Sequence, residues 1–183
     1  MLQIPEQVIE LWEKYGVDEE VKRHCIKVAE IALKITDSME KNGVKVDKNA
    51  ILIGALLHDI GRAITHDPFL HFIKSAEILK KEGLDNKIVK IAERHFSAGL
   101  DKHDAEKLGL PPKDYIPETI EEKIVSFADN IVYGNKESNF DNFIRRLDEI
   151  DRKNGELKWL TEKTRIRVFK IKEEIEELSG LKF

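Results

Sequence analysis

One cysteine, Cys25, stands among 183 residues, so no intrachain disulfide can staple the chain and a thiolate-rich structural zinc knot is excluded. A lone thiol fits a reducing compartment. Charge of one sign is also lacking: 31 basic residues face 35 acidic ones, a formal net charge of −4. No global field therefore draws in general nucleic acid, and an anionic substrate has to be held by a local site. Long apolar runs are missing too. The longest, Ala50 to Leu57, is far too short to span a bilayer, and with no signal or transit peptide in view the expectation is a cytoplasmic protein without membrane contact. There is no Gly-rich phosphate loop, no Ser-His-Asp setting for Ser97, and no internal repeat. Glutamine is confined to Gln3 and Gln7 beside abundant Lys and Glu, a composition that hints at a thermophilic source.

What is present is helical periodicity, broken at short intervals by Gly, Pro and Asp-containing turns. The 41% hydrophobic content is enough for one core in a chain of this length. The pattern predicts an all-α single domain over 1–183, with a core over about 18–135 and a C-terminal helical extension over about 136–183. Predicted helices run from Pro5 to Tyr15, from Asp18 to Asn42, from Asp47 through Ile60, from Phe69 to Glu82, and from Asp85 to His95. Others cover His103 to Leu108, Pro117 to Tyr133, Phe140 to Asp151 and Leu157 to Leu178. Gly134 to Asn139 reads as a flexible break, and the last two helices read as scaffold, the final one laced with charges at i,i+4 spacing.

One segment breaks the apolar logic. In Leu56-Leu57-His58-Asp59-Ile60-Gly61-Arg62 a carboxylate sits directly behind an apolar run, where an unpaired charge would cost several kcal/mol. A cation is expected close by, and a divalent metal ligated by imidazoles is the economical candidate. Two adjacent side chains reach one ion only near a helix end or a distorted turn, because helical neighbours point about 100° apart. His24 lies on the stripe formed by Val21, Val28, Ile31, Ile35 and Met39, and His95 shares a face with Ile88 and Ile91. Both therefore point inward, and Asp129 borders the buried side of its own helix. Singly, each histidine reads better as a hydrogen-bonded core residue; together with the doublet they read as a metal site.

A His, a later His-Asp doublet and a final Asp, here His24, His58-Asp59 and Asp129, resemble the HD-domain superfamily of metal-dependent phosphohydrolases. The continuation His58-Asp59-Ile60-Gly61 is the HDIG form. The likeness covers about residues 18–135. His71 and His95, thirteen and thirty-seven residues after His58, resemble the two additional histidines of a branch that binds a second ion. The resemblance implies His24, His58, Asp59 and Asp129 on one ion, His71 and His95 on the other, and Asp59 bridging. His66 competes with His71 for the ligand role, and substrate contact is the preferred reading for it. The ligand types suit Fe, Mn, Co, Ni or Zn.

The resemblance further implies metal-activated water attacking a phosphate ester, with Asp59 as a bridging catalytic residue. Phosphate also needs cations near the cluster, for which Arg62, also read as catalytic, Lys102 and Arg94 are the candidates by position, with His66 as a further substrate contact. A nucleotide-like small molecule is the implied substrate: a phosphodiester, a cyclic phosphate or a phosphomonoester. Two alternatives stay open, a di-iron oxygenase of the same ligand set and a non-catalytic module that binds a nucleotide or a partner. A homodimer through the C-terminal helix is compatible with the sequence, though no feature demands it.

Overall fold

The structure, a computed structural model, describes residues 2–183. The first helix, α1 (Glu6–Tyr15), stops at Gly16, whose left-handed backbone closes it. The long α2 (Glu19–Lys41) buries Cys25, Val28, Ile31, Ile35 and Met39 along one side, as its stripe predicts. Asp47 caps α3 (Lys48–Leu57) by accepting from the Ala50 amide at 3.0 Å, and α3 has almost no polar side. Seven of its ten residues are buried, which places it centrally against α2, α5 (Asn86–Glu93) and α7 (Ile120–Asn130). Gly54 permits this crossing, since a Cβ there would lie 2.7 Å from the Ile91 side chain.

Between these elements lie α4 (His71–Lys81) and α6 (Lys102–Lys107); α8 (Phe140–Lys153) and α9 (Lys158–Ser179) complete the chain. The α9 helix packs on α2, α7 and α8 through Val168, Ile171 and Ile175. Its charges depart from the predicted i,i+4 lacing. Lys172 pairs with Glu176 in that register, but Lys163, Arg165 and Arg167 reach across to α6 and α8. Long cations gain more by tying one helix to another than by decorating a single exposed face.

Three further boundaries differ from expectation. The α3 helix ends at Leu57, not Ile60, and a 3₁₀ turn over Ile60–Ala63 follows. Likewise α5 ends at Glu93, two residues before His95. The helix predicted to run to Tyr133 stops at Asn130, and a small hairpin, β1 (Val132–Tyr133) paired antiparallel with β2 (Lys136–Glu137), takes up its last residues and the start of the break predicted over Gly134 to Asn139. Each of these three departures places a backbone carbonyl or a side chain at the site.

Candidate metal centre

Ending α3 at Leu57 leaves carbonyls without helical partners. The His58 imidazole takes one, its Nδ1–H donating to the Ala55 oxygen at 2.6 Å, and the Trp12 indole takes the Leu56 oxygen at 3.2 Å. The end of α5 repeats the device, with His95 Nδ1–H donating to the Ala92 oxygen at 2.6 Å. His24 Nδ1 meets the Gly134 carbonyl of the hairpin at 2.6 Å, and His71 Nδ1 meets the Asp67 carbonyl at 3.2 Å. A carbonyl can only accept, so all four Nδ1 atoms carry the proton. In the neutral ring every Nε2 is then a bare acceptor.

Those four Nε2 atoms converge on two carboxylates. His24 Nε2 lies 2.9 Å and His58 Nε2 3.6 Å from Asp129 Oδ1, and both lie 3.9 Å from Asp59 Oδ2. On the other side, His71 Nε2 and His95 Nε2 sit 3.2 and 3.3 Å from Asp59 Oδ1 and 3.0 Å from each other. Asp59 thus presents one oxygen to each half of the cluster. His58 Nε2 and Asp59 Oδ1 are fully buried and have no hydrogen-bond partner among the described residues. Lone pairs facing lone pairs repel, and burying polar atoms unpaired is costly. A cation relieves both penalties, so the donor set fits a divalent metal.

The protonation states divide. Burial opposes charge on His24 and His58, yet the neighbouring acidic groups outweigh it and hold His24 above and His58 well above the ordinary imidazole value, so an incoming metal displaces a proton from each. The other groups favour ligation. Burial opposes charge on Asp59, but His58, His71 and His95 outweigh it and hold the carboxyl well below the usual carboxylate range. Burial on Asp129 is likewise overcome by His24 and His58. Burial pushes His95 below the ordinary imidazole value. Ionised carboxylates and a neutral imidazole are the forms that ligate. Cys25 plays no such part, because burial pushes its thiol up and away from the thiolate.

Gly61 explains why the doublet continues as it does. Its amide donates to Ser75 Oγ at 2.8 Å, and a Cβ there would fall 2.1 Å from the His71 carbonyl oxygen. The 3₁₀ turn therefore rests directly on the first turn of α4, fixing His71 relative to Asp59.

Above the cluster opens a cleft of about 1030 Å³. Of the sequence-predicted contacts, Arg62 and His66 line it. Arg62 Nε donates to Asp59 Oδ2 at 2.7 Å, and His66 is exposed on the rim near Asp18. His71, not His66, joins the cluster. Arg94 and Lys102 do not line the cleft. Arg94 is committed to Glu118 and Glu122 at 3.0 and 2.9 Å, and Lys102 is exposed at the start of α6 with its amide bound to Asp114. Their sequence neighbourhood to His95 and Ser97 gave no information about the side to which they turn.

Sequence reasoning missed the α8 wall. Phe143, Arg146, Leu147 and Ile150 line the cleft, so this helix is part of the site and not scaffold alone. The signal was there: an arginine interrupts an i, i+3, i+4, i+7 apolar stripe. Ser97, also in the lining, holds the left-handed φ of 55°. Its carbonyl accepts from Ser126 Oγ at 2.9 Å and from Asn130 Nδ2 at 2.5 Å, which ties the His95 segment to the residue after Asp129.

Comparison with known proteins identifies the family. The HD domain family model matches residues 21–134, and the chain belongs to that family. It is 45% identical over 131 residues to an uncharacterized protein of Methanocaldococcus jannaschii, covering 72% of this chain and 77% of that one. It is 38% identical over 175 residues to a tRNA (cytidine(56)-2′-O)-methyltransferase of Picrophilus torridus, covering 96% of this chain but spanning only 47% of that relative. Among solved structures it resembles the HD domain of the L. monocytogenes phosphodiesterase PgpH in complex with cyclic-di-AMP. The TM-score is 0.52 at 17% identity, over 97% of this chain and 99% of that one, a likeness of fold. No helix among the described residues is long and apolar enough to cross a membrane.

Proposed function

We propose that the chain is a metal-dependent phosphohydrolase. It carries a pair of divalent transition-metal ions held by His24, His58, Asp59, His71, His95 and Asp129, and it hydrolyses a phosphate ester of a nucleotide-like molecule. The observation that carries the reading is the division of Asp59, one oxygen facing His24 and His58 and the other facing His71 and His95. When bound, paired divalent ions acidify water and offset charge that develops on a phosphoryl group. The residues of the chain do the rest. The four backbone carbonyls fix each imidazole tautomer, the kind of support that commonly changes metal affinity or activity 10- to 100-fold. Arg62 orients Asp59, and His66 on the rim contacts the substrate.

The phosphodiesterase of like fold and the tRNA-modifying relative support a nucleotide or RNA-derived ester as the substrate class. The chain matches half of that relative, and methyl transfer is not part of this proposal. The reading takes 1–183 as one unit in which α8 and α9 extend the core over 18–135. The test loads the protein with Mn, Fe, Co, Ni or Zn and measures metal per chain. It then measures hydrolysis of bis(p-nitrophenyl) phosphate and of 2′,3′-cyclic nucleotides, with Asp59→Ala alongside. About two ions per chain and turnover lost in the variant are expected. Undiminished turnover in Asp59→Ala, or oxygen uptake in place of phosphate release, overturns it.

A further inference from the structure

Only two arginines line the cleft, Arg62 and Arg146, and they are in opposite situations. Arg62 is neutralised by Asp59. Arg146 donates to two neutral oxygens, through one terminal nitrogen to the Asn130 carbonyl and through the other to the Val132 carbonyl at 3.3 Å. No carboxylate among the described residues approaches it to ion-pair distance. Its guanidinium lies over the Tyr133 ring at 5.2 Å and the Phe143 ring at 5.5 Å. A guanidinium has five N–H donors, of which two are used here, so three remain. Burial disfavours its charge and Asp129, further off, only partly restores it.

A half-buried cation that is clamped in place, unpaired, and set on the cleft wall beside the last metal ligand is short of one thing, an anion. Planar N–H donors suit phosphate oxygens. The same helix turns Phe143, Leu147 and Ile150 toward the same space, an apolar surface next to the cation. We infer that Arg146 is the substrate-anchoring residue of this site, binding a phosphate oxygen while Phe143, Leu147 and Ile150 receive the organic group that the phosphate carries. The inference rests on the phosphohydrolase reading and deepens it: the substrate is an ester whose phosphate is attached to a sizeable apolar or planar group. Recognition then comes from α8, outside the segment that supplies the metal ligands.

The rival role is structural, since the Arg146 clamp on Asn130 and Val132 also steadies the hairpin whose Gly134 carbonyl orients His24. The experiment separates the two. Metal-loaded wild type, Arg146→Lys and Arg146→Ala are compared for metal content, thermal midpoint, KM and kcat on bis(p-nitrophenyl) phosphate, and inhibition by inorganic phosphate. Anchoring predicts a KM and a phosphate inhibition constant raised roughly 10- to 100-fold in Arg146→Ala. Arg146→Lys recovers part of the loss, with metal content unchanged and kcat within about threefold. A clamp alone predicts lost metal or a lowered midpoint with KM unchanged, and that result overturns the inference. If the wild type turns over no ester, direct titration with inorganic phosphate still decides. Binding that is lost in Arg146→Ala sustains the anion site while the hydrolase reading fails; phosphate binding that is absent, or equal in both proteins, overturns the anion site as well.

Discussion

Two of the charge clusters among the described residues are built on opposite plans. Between α6 and α9, Asp101 and Asp104 meet Lys163 and Arg167. Asp104 is fully buried, yet its oxygens receive Lys163 at 2.6 Å and Arg167 at 2.7 Å. The two aspartates also cap each other's backbone amides at 3.0 and 2.9 Å. Two anions face two cations, and the set is saturated. At the centre beneath the cleft, four imidazoles and two carboxylates point acceptors at one another, and buried atoms there lack partners. A saturated cluster has finished its work when the chain folds. An unsaturated one is waiting for something, and a burial measure alone would not tell them apart.

The sharpest way to break the comparison is Asp59→Ala against Asp104→Ala. The first is expected to abolish metal retention and turnover while circular dichroism stays helical. The second strands Lys163 and Arg167 and lowers stability by about 2–3 kcal/mol, between surface and fully buried ion-pair values, with metal content unchanged. Denaturant titration and elemental analysis of the two variants test this, and metal loss in Asp104→Ala would remove the distinction.

Next in size is Gly61→Ala. The added methyl collides with the His71 backbone, and overpacking of this kind costs about 1–3 kcal/mol. Because the strained contact carries a proposed metal ligand, on the two-ion reading an ion held by His71 and His95 would be lost before its neighbour. Metal per chain falling toward one, read by elemental analysis, is the expected result.

Acid separates the clusters further. Burial alone would raise the Asp101 carboxyl, but the Asp104 amide and Lys163, with Arg167, bring it down to about 2. The folded state therefore binds fewer protons there than the unfolded chain, whose Asp titrates near about 3.9. Its contribution is complete above that value and is lost as pH falls toward about 2. Protons compete with metal for imidazole as pH falls, and His24 and His58 are held above the ordinary imidazole value. Metal should thus leave well before the ion-pair cluster breaks, and Asp101→Asn should flatten the acid limb of stability without moving the metal-release midpoint.

The smallest effect is expected for Lys102→Ala. The side chain is exposed and the α6 amide keeps its Asp114 bond, so stability should stay within about 0.5 kcal/mol and KM should not change. A raised KM would return Lys102 to the substrate site.

Helical content, most element positions and the six cluster residues were legible because each follows from local rules. Apolar spacing marks a buried face, Asp47 and Asp85 mark helix starts, and a carboxylate behind Ala50 to Leu57 violates the apolar pattern. The contacts of Arg94, Lys102 and Arg146 were not legible. Each sits on a helix or near its end, where a long side chain can turn to either of two neighbours, and only packing selects one. The same holds for α9, whose charges match an i,i+4 pattern in part but bridge to other helices wherever those stand within reach.

By itself the sequence determined which residues ligate-capable chemistry offered and on which faces they lay, since periodicity and side-chain identity are properties of the chain. Tertiary structure decided the rest. Imidazole tautomers were set by carbonyls freed where α3 and α5 stop, and by a hairpin 110 residues away from His24. The division of Asp59 between two halves depended on four helices arriving at one point. Which arginine was neutralised and which was left facing the cleft depended on partners distant in sequence, and Coulomb and hydrogen-bond energies are functions of distance in space, not along the chain.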